Sequence, residues 1–153
     1  MLKNVKAHRM QLPREVMVGD GILDEVGALY KRLGLRGPAL VISGPKTYDI
    51  AGREVVRSLS EWGIEVSTIV AHEPTMEEVR RVEQTARGGH VGAVVGVGGG
   101  SKIDIAKLAA SELGVPVISI PTAASHDGLS SPFASLKDLN RPYSVQAQAP
   151  IGV

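Results

Sequence analysis

Val94-Val95-Gly96-Val97-Gly98-Gly99-Gly100-Ser101-Lys102-Ile103-Asp104 is the stretch that decides the fold. A buried, strand-like apolar run passes through clustered glycines straight into an amphipathic helix. That junction suits a phosphate. Glycines let the backbone come close to an anion and adopt positive φ. The first N–H groups of a helix lack internal partners and point outward, and the helix dipole favours negative charge there. Lys102 adds a full positive charge. The stretch matches no regular phosphate pattern throughout. Gly96-x-Gly98 begins like the dinucleotide fingerprint, but Ser101 stands where its last glycine belongs. The Gly-Lys-Ser/Thr ending of a P-loop is absent, and the stretch follows a later strand rather than the first. The plainer reading is a tight turn whose glycines serve packing alone. Three glycines in a row are entropically costly and more than such a turn needs, which favours phosphate binding. Asp104, three residues after Ser101, reads as the far half of a capping box and so as structural.

Outward from this junction the sequence alternates. Residues 15–19 read as a short strand. A helix from Asp20 or Gly21 to Leu33 carries Ile22, Val26, Leu29 and Leu33 at helical spacing and stops at Gly34. Ala39-Leu40-Val41-Ile42-Ser43 is continuously apolar, as in a strand covered on both faces. Further along come a helix over about 48–62, a strand over 64–70, and a helix opened by a Thr75/Glu78 capping box that runs to about Ala86. They are followed by a strand over 91–97, a helix over 101–113 closed by Gly114, and a strand over 115–120. This βα alternation implies a parallel sheet with helices on both faces. After Pro121 come a polar loop and two strands, 133–137 and 143–147, joined by a turn over 138–142: a hairpin appended to the sheet. The fold class is therefore α/β, a Rossmann-like parallel sheet flanked by helices with an appended β-hairpin.

Composition narrows the function. The 153 residues fit one domain, which at this size buries roughly two-thirds of its unfolded surface. The absence of cysteine excludes a disulfide scaffold, Cys-ligated zinc, iron–sulfur clusters and a thiol nucleophile. Lys plus Arg number 17 against 16 Asp plus Glu, and aromatics are only 3%. A nucleic-acid partner is not expected of such a chain. No signal-peptide core or membrane-length apolar run occurs, so a cytoplasmic protein without membrane insertion is expected.

The loop Pro121-Thr122-Ala123-Ala124-Ser125-His126-Asp127-Gly128-Leu129-Ser130-Ser131-Pro132 ends a parallel strand, at the sheet edge where α/β proteins bind ligands. Its hydroxyls, imidazole and carboxylate can hold ribose, amide or polyol groups. It can equally be an ordinary solvated connection. His126-Asp127 lacks the companion residues of a metal site, and His8, His72 and His90 are scattered. Ser43-Gly44-Pro45-Lys46-Thr47 can border the same crevice or be an ordinary turn before a helix. No catalytic residue is assigned.

Gly98 to Lys107, the Pro121–Gly128 loop and Ser130-Ser131-Pro132 together closely resemble the archaeal sn-glycerol-1-phosphate dehydrogenases. These belong to the superfamily of iron-containing alcohol dehydrogenases, glycerol dehydrogenases and dehydroquinate synthases. The resemblance runs from Val16 to Val153 and has consequences for specific residues. Gly98, Gly99, Gly100, Ser101 and Lys102 would hold the diphosphate of NAD or NADP. Thr122, Ala123, Ala124 and Ser125 would lie beside the nicotinamide half, and Ser131 would contact the cofactor as well. Asp127 would contact the polyol substrate. The implied reaction is reversible reduction of dihydroxyacetone phosphate to sn-glycerol 1-phosphate for archaeal membrane lipids. A zinc ion held by one Asp and two His of a helical second domain would polarise the substrate oxygen. In the family all three ligands fall beyond a segment resembling Ala149–Val153, so no metal residue lies within this chain. The expectation is an N-terminal NAD(P)-binding domain, residues 1–153, inactive alone, from a two-domain enzyme that forms a homo-oligomer at full length. The alternatives are another superfamily member, such as a glycerol dehydrogenase or a dehydroquinate synthase-like enzyme, and a non-catalytic nucleotide-binding module.

Overall fold

The apolar run of β1 (Ala39–Ser43) is buried at every residue, because helices cover both faces of the strand. In this computed structural model, which describes residues 12–123, 131–138 and 141–153, β1 pairs in parallel with β2 (Val66–Val70) on one side. On the other side it pairs with β3 (Ala93–Gly98), which in turn pairs with β4 (Val117–Pro121). The order β2-β1-β3-β4 makes β1 and β3 neighbours although a whole βα unit separates them in the chain. The connection leaves β1 toward one edge and returns to its other side. The carboxyl ends of β1 and β3 thus form the topological switch point, where open α/β sheets bind ligands.

Alternation along β1 divides the core. Leu40 and Ile42 face one cluster together with Val79, Val82 and Ile105, from helices α4 (Met76–Ala86) and α5 (Gly100–Leu113). Ala39 and Val41 face the other, with Leu29 of α1 (Val26–Arg32) and Val55 and Leu59 of α3 (Arg53–Glu61). Truncating a fully buried residue such as Ile42 to alanine is expected to cost about 2–5 kcal/mol.

Helix ends follow the glycines. Gly34, Gly63 and Gly114 have φ of 73°, 73° and 69°. The residue after each returns its N–H five positions: Leu35 to the Tyr30 carbonyl, Ile64 to Leu59 and Val115 to Ala110. These are Schellman-type ends. They explain why the strands expected to start at Ile64 and Val115 start at Val66 and Val117: those amides belong to the helix caps. Other boundaries also differ from expectation: the strand expected over 91–97 runs Ala93–Gly98, and the hairpin strands expected over 133–137 and 143–147 run Phe133–Asp138 and Arg141–Gln146. The helix expected from Asp20 opens as a 3-10 turn, Ile22–Glu25, before α1. The helix expected from Tyr48 begins earlier, with α2 (Pro45–Thr47), and continues through a π turn (Tyr48–Gly52) into α3. Proline at the first helical position suits that early start. Residues 15–19 make no full strand. Glu15 forms an isolated parallel bridge to Gly152, which bridges Ile118 of β4. Ladder bonds from Ser119 N to Gly152 O (3.0 Å) and Met17 N to Val153 O (2.9 Å) extend the sheet past β4.

β5 (Phe133–Asp138) and β6 (Arg141–Gln146) pair antiparallel as a separate two-stranded sheet rather than joining the parallel one. Ala134 and Leu136 bury this hairpin in the core cluster that includes α5. No helix among the described residues is long and apolar enough to cross a membrane.

Candidate functional site

The glycines between β3 and α5 are there for three separate reasons. At Gly96 a Cβ would meet the Ala106 Cβ at 2.6 Å, so the missing side chain lets α5 lie directly on the sheet. Gly98 ends β3 with φ +150°, and a Cβ there would stand 3.0 Å from Lys102 Cβ and 3.2 Å from Thr47 Oγ1. Backbone conformation and crowding both require glycine at that position. At Gly99 an added Cβ would meet nothing within 4 Å. Packing does not demand glycine there. The bare backbone faces open space, which is what close approach of an anion needs.

Gly99 is the N-cap of α5, in extended conformation (φ −79°, ψ −175°), and no side chain caps the helix start. Gly100 and Ser101 are its first two residues. Backbone bonds run from the Lys102 and Ile103 amides to the Gly99 carbonyl, at 3.1 and 3.2 Å. The expected capping box of Ser101 and Asp104 does not form: Ser101 lies one residue inside the helix, not at its cap. Asp104 is structural by another route. It is buried, and Ser135 N in β5 donates to its Oδ2 at 3.1 Å.

Lys102 does not fold over its own turn. Its stem passes Gly44, where a Cβ would meet Lys102 Cε at 2.7 Å, and its Nζ donates to the His72 carbonyl just past β2. The side chain thus runs from the end of β3 past the end of β1 to the end of β2. His72 is also held from its amide, which donates to Glu78 Oε1 at 3.0 Å. Of the predicted capping box, the Thr75 hydroxyl accepts from Glu78 N at 3.1 Å, while the Glu78 carboxylate turns to His72 N and Arg81 instead. The Arg81 guanidinium, 2.6 Å away, holds the Glu78 carboxyl below its ordinary value, with burial opposing and the His72 amide assisting. A cleft of about 510 Å³ lies at this end of β2, lined by His72, Thr75, Glu78 and Arg81 among others.

The turn after β1 borders the same crevice, one of the two readings open in the sequence. Thr47 Oγ1 accepts from Gly44 N at 2.8 Å and donates to the Val97 carbonyl at 3.2 Å, tying α2 to β3. Thr47 was not singled out from sequence, since its partner on β3 is fifty residues away and only the strand order brings the two together.

Thr122 is exposed, and its amide donates to the Gly98 carbonyl at 2.9 Å, which places the start of the loop beside the glycine turn. Ala123 follows, exposed. Ala124, Ser125, His126 and Asp127 lie outside the described residues. Ser131 is half-buried at the head of β5, and its Oγ accepts from Phe133 N at 3.1 Å. No three or more His, Cys, Asp or Glu residues gather into a possible metal site among the described residues. The arrangement can therefore bind an anionic, nucleotide-like group through backbone N–H groups and one ammonium. It does not present a metal centre among those residues.

The family model described as iron-containing alcohol dehydrogenase matches residues 17–153. The glycerol-1-phosphate dehydrogenase, NAD(P)+, of Thermococcus kodakarensis is 49% identical over 149 residues, covering 97% of this chain and 42% of that protein. The protein of the same name from Methanosarcina mazei is 46% identical over 144 residues, covering 94% and 40%. The chain thus spans about two-fifths of the length of these curated relatives. Among solved structures, glycerol dehydrogenase from Schizosaccharomyces pombe superposes with a TM-score of 0.87 at 22% identity, over 97% of this chain and 38% of that one. At that identity the likeness is one of fold.

Proposed function

This chain belongs to the iron-containing alcohol dehydrogenase family, and on that premise we propose that it is the NAD(P)-binding part of a glycerol-1-phosphate dehydrogenase. The reaction is reversible reduction of dihydroxyacetone phosphate to sn-glycerol 1-phosphate, serving archaeal membrane lipid synthesis. The observation that carries the reading is the start of α5: a fourteen-residue helix with no side-chain cap, entered through a glycine that faces open space, at the switch point of the sheet. The names of the curated relatives supply the substrate class.

Those features fit a diphosphate. The Gly98–Lys102 turn would hold it with backbone N–H groups, and Lys102 would add charge from the side. Thr122 to Ser125 would lie along the nicotinamide half, Ser131 would touch the cofactor too, and Asp127 would contact the polyol. When bound, NAD(P) supplies or takes up the hydride. The work of this chain is to bind and orient that cofactor at the edge of the sheet. The described residues do not fit a zinc site. Zinc, the homo-oligomer and turnover belong to the longer protein in this reading, and 153 residues alone are inactive.

Fluorescence titration of the chain with NADH and NADPH tests the proposal. Saturable binding is expected. No saturation at about 1 mM, where binding free energy is near −4 kcal/mol, would overturn it. Steady-state reduction of dihydroxyacetone phosphate by the chain alone would overturn the division of labour.

A further inference from the structure

Helix α5 carries two charges in its buried middle. Within the run Ile103–Ala110, Asp104 is 6% exposed and Lys107 is 0% exposed. Three residues apart, they share one helix face, with Lys107 Nζ 4.0 Å from Asp104 Oδ1. Burial pushes the Lys107 ammonium below its usual range, and Asp104 opposes that shift. Both side chains reach the main chain of β5. Lys107 Nζ donates to the Phe133 carbonyl at 3.2 Å, and Ser135 N donates to Asp104 Oδ2 at 3.1 Å. Lys137 N, the next alternate residue, donates to the Pro74 carbonyl at 2.8 Å. The edge of β5 that faces away from β6 is thus met by partners outside the hairpin at Phe133, Ser135 and Lys137.

Stability alone does not explain the charges. Apolar residues of similar volume commonly hold such a contact as well or better, because a buried ion pair pays a desolvation cost. What the pair adds is register. Apolar packing lets a strand slide along a helix, whereas two directed bonds to alternate backbone groups fix it. The strand so fixed starts two residues after Ser131, whose Oγ accepts from Phe133 N. At the other end of the connection, Thr122 N donates to the Gly98 carbonyl. Both ends are therefore referenced to the one unit, β3, turn and α5, that carries the glycines.

We propose that Asp104 and Lys107 are positioning residues that hold Ser131 in fixed register with the Gly98–Lys102 turn, so that both meet the same bound nucleotide. The proposal rests on the cofactor reading above, and its test separates the two. In the double variant Asp104→Leu/Lys107→Met of the 153-residue chain, bulk is kept and the directed bonds are lost. Amide exchange at Ser135 should quicken at least about tenfold, the size expected for losing a bond to a charged group. Protection of β1 and β3 should persist. NADH affinity should fall about tenfold, while affinity for ADP, which lacks the nicotinamide half, should stay within about threefold. Unchanged protection at Ser135 would overturn the proposal, as would equal losses for NADH and ADP, or NADH affinity like that of the parent. If the parent bound neither ligand, the cofactor reading would fail and take the nucleotide role of the pair with it. The exchange data would still decide whether the pair sets the register. Should the double variant not fold, Asp104→Leu alone, which removes the acceptor of the Ser135 amide, is read in the same way at Ser135.

Discussion

Two strand-to-helix turns stand side by side at the carboxyl edge of the sheet, after β1 and after β3, and they treat the same problem in opposite ways. Each must satisfy the orphan N–H groups of a helix start. After β1 the protein meets one of them itself: Thr47 takes the Gly44 N–H and gives its own proton to the Val97 carbonyl. After β3 the start of α5 has no side-chain cap, and Gly99 faces open space. The closed turn is architecture. The open one leaves its backbone facing open space, as the proposed diphosphate site requires, and the closed turn helps brace it, since Thr47 Oγ1 lies 3.2 Å from where a Gly98 Cβ would be.

The sharpest way to break this contrast is to close the open turn. Gly99→Asp adds a good N-cap residue where nothing obstructs a Cβ. Thermal melts should show a gain of roughly 0.5–1 kcal/mol from the cap and the helix dipole. NADH affinity should drop at least about tenfold, because a carboxylate close to a diphosphate costs more than 1.4 kcal/mol at an effective dielectric near 20. Stability up and binding down is the opposite of what a damaged fold produces. Opening the closed turn with Thr47→Val should do the reverse: chemical denaturation should find about 1–2 kcal/mol lost, with NADH affinity changed less than about threefold. Lys102→Met removes the bridge to the His72 carbonyl and an ammonium beside the open turn. Its NADH affinity should weaken about threefold to tenfold in the same titration, with the loss shrinking at high salt.

The smallest effect concerns the far anchor of that bridge. Glu78 holds the His72 amide, and Arg81 keeps its carboxyl below the ordinary 4.5. A carboxyl depressed in the folded state contributes stability that is fully present above its unfolded pKa and is lost as pH falls through the folded one. Melting temperatures of the parent and of Glu78→Gln should therefore differ above about pH 5 and converge as pH falls through the depressed folded value. A constant gap across that range would mean that the ion pair is not what Glu78 contributes.

How much of this was legible beforehand depended on distance along the chain. The glycine turn could be read because its parts are contiguous: strand, glycines and helix start lie within eleven residues. The apolar residues 39–42 of β1 and the helix-ending glycines Gly34 and Gly114 could be read for the same reason. Thr47 could not, because nothing local says that β1 neighbours β3. The structural role given to Asp104 held, but its capping box failed on a shift of two positions. The helix starts at Gly100 with Gly99 as its cap, which leaves Ser101 inside the helix. The missed signal was Lys107, a lysine in a helical run that is apolar but for it and Asp104; its partner lies on a hairpin twenty-six residues on. Resemblance supplied what spacing could not, namely which cofactor and which substrate class to test.

The central claim is that backbone amides of the open turn take the diphosphate, and amide chemical shifts test it most directly. In a 15N-labelled sample of this 16.1 kDa chain titrated with NADH, the largest perturbations should fall on Gly99, Gly100, Ser101 and Lys102. Smaller ones should fall on Gly98 and Thr122, with little change at Gly44 and Thr47. Perturbations centred on the His72 and Arg81 cleft that leave Gly99 to Lys102 unmoved would contradict the account.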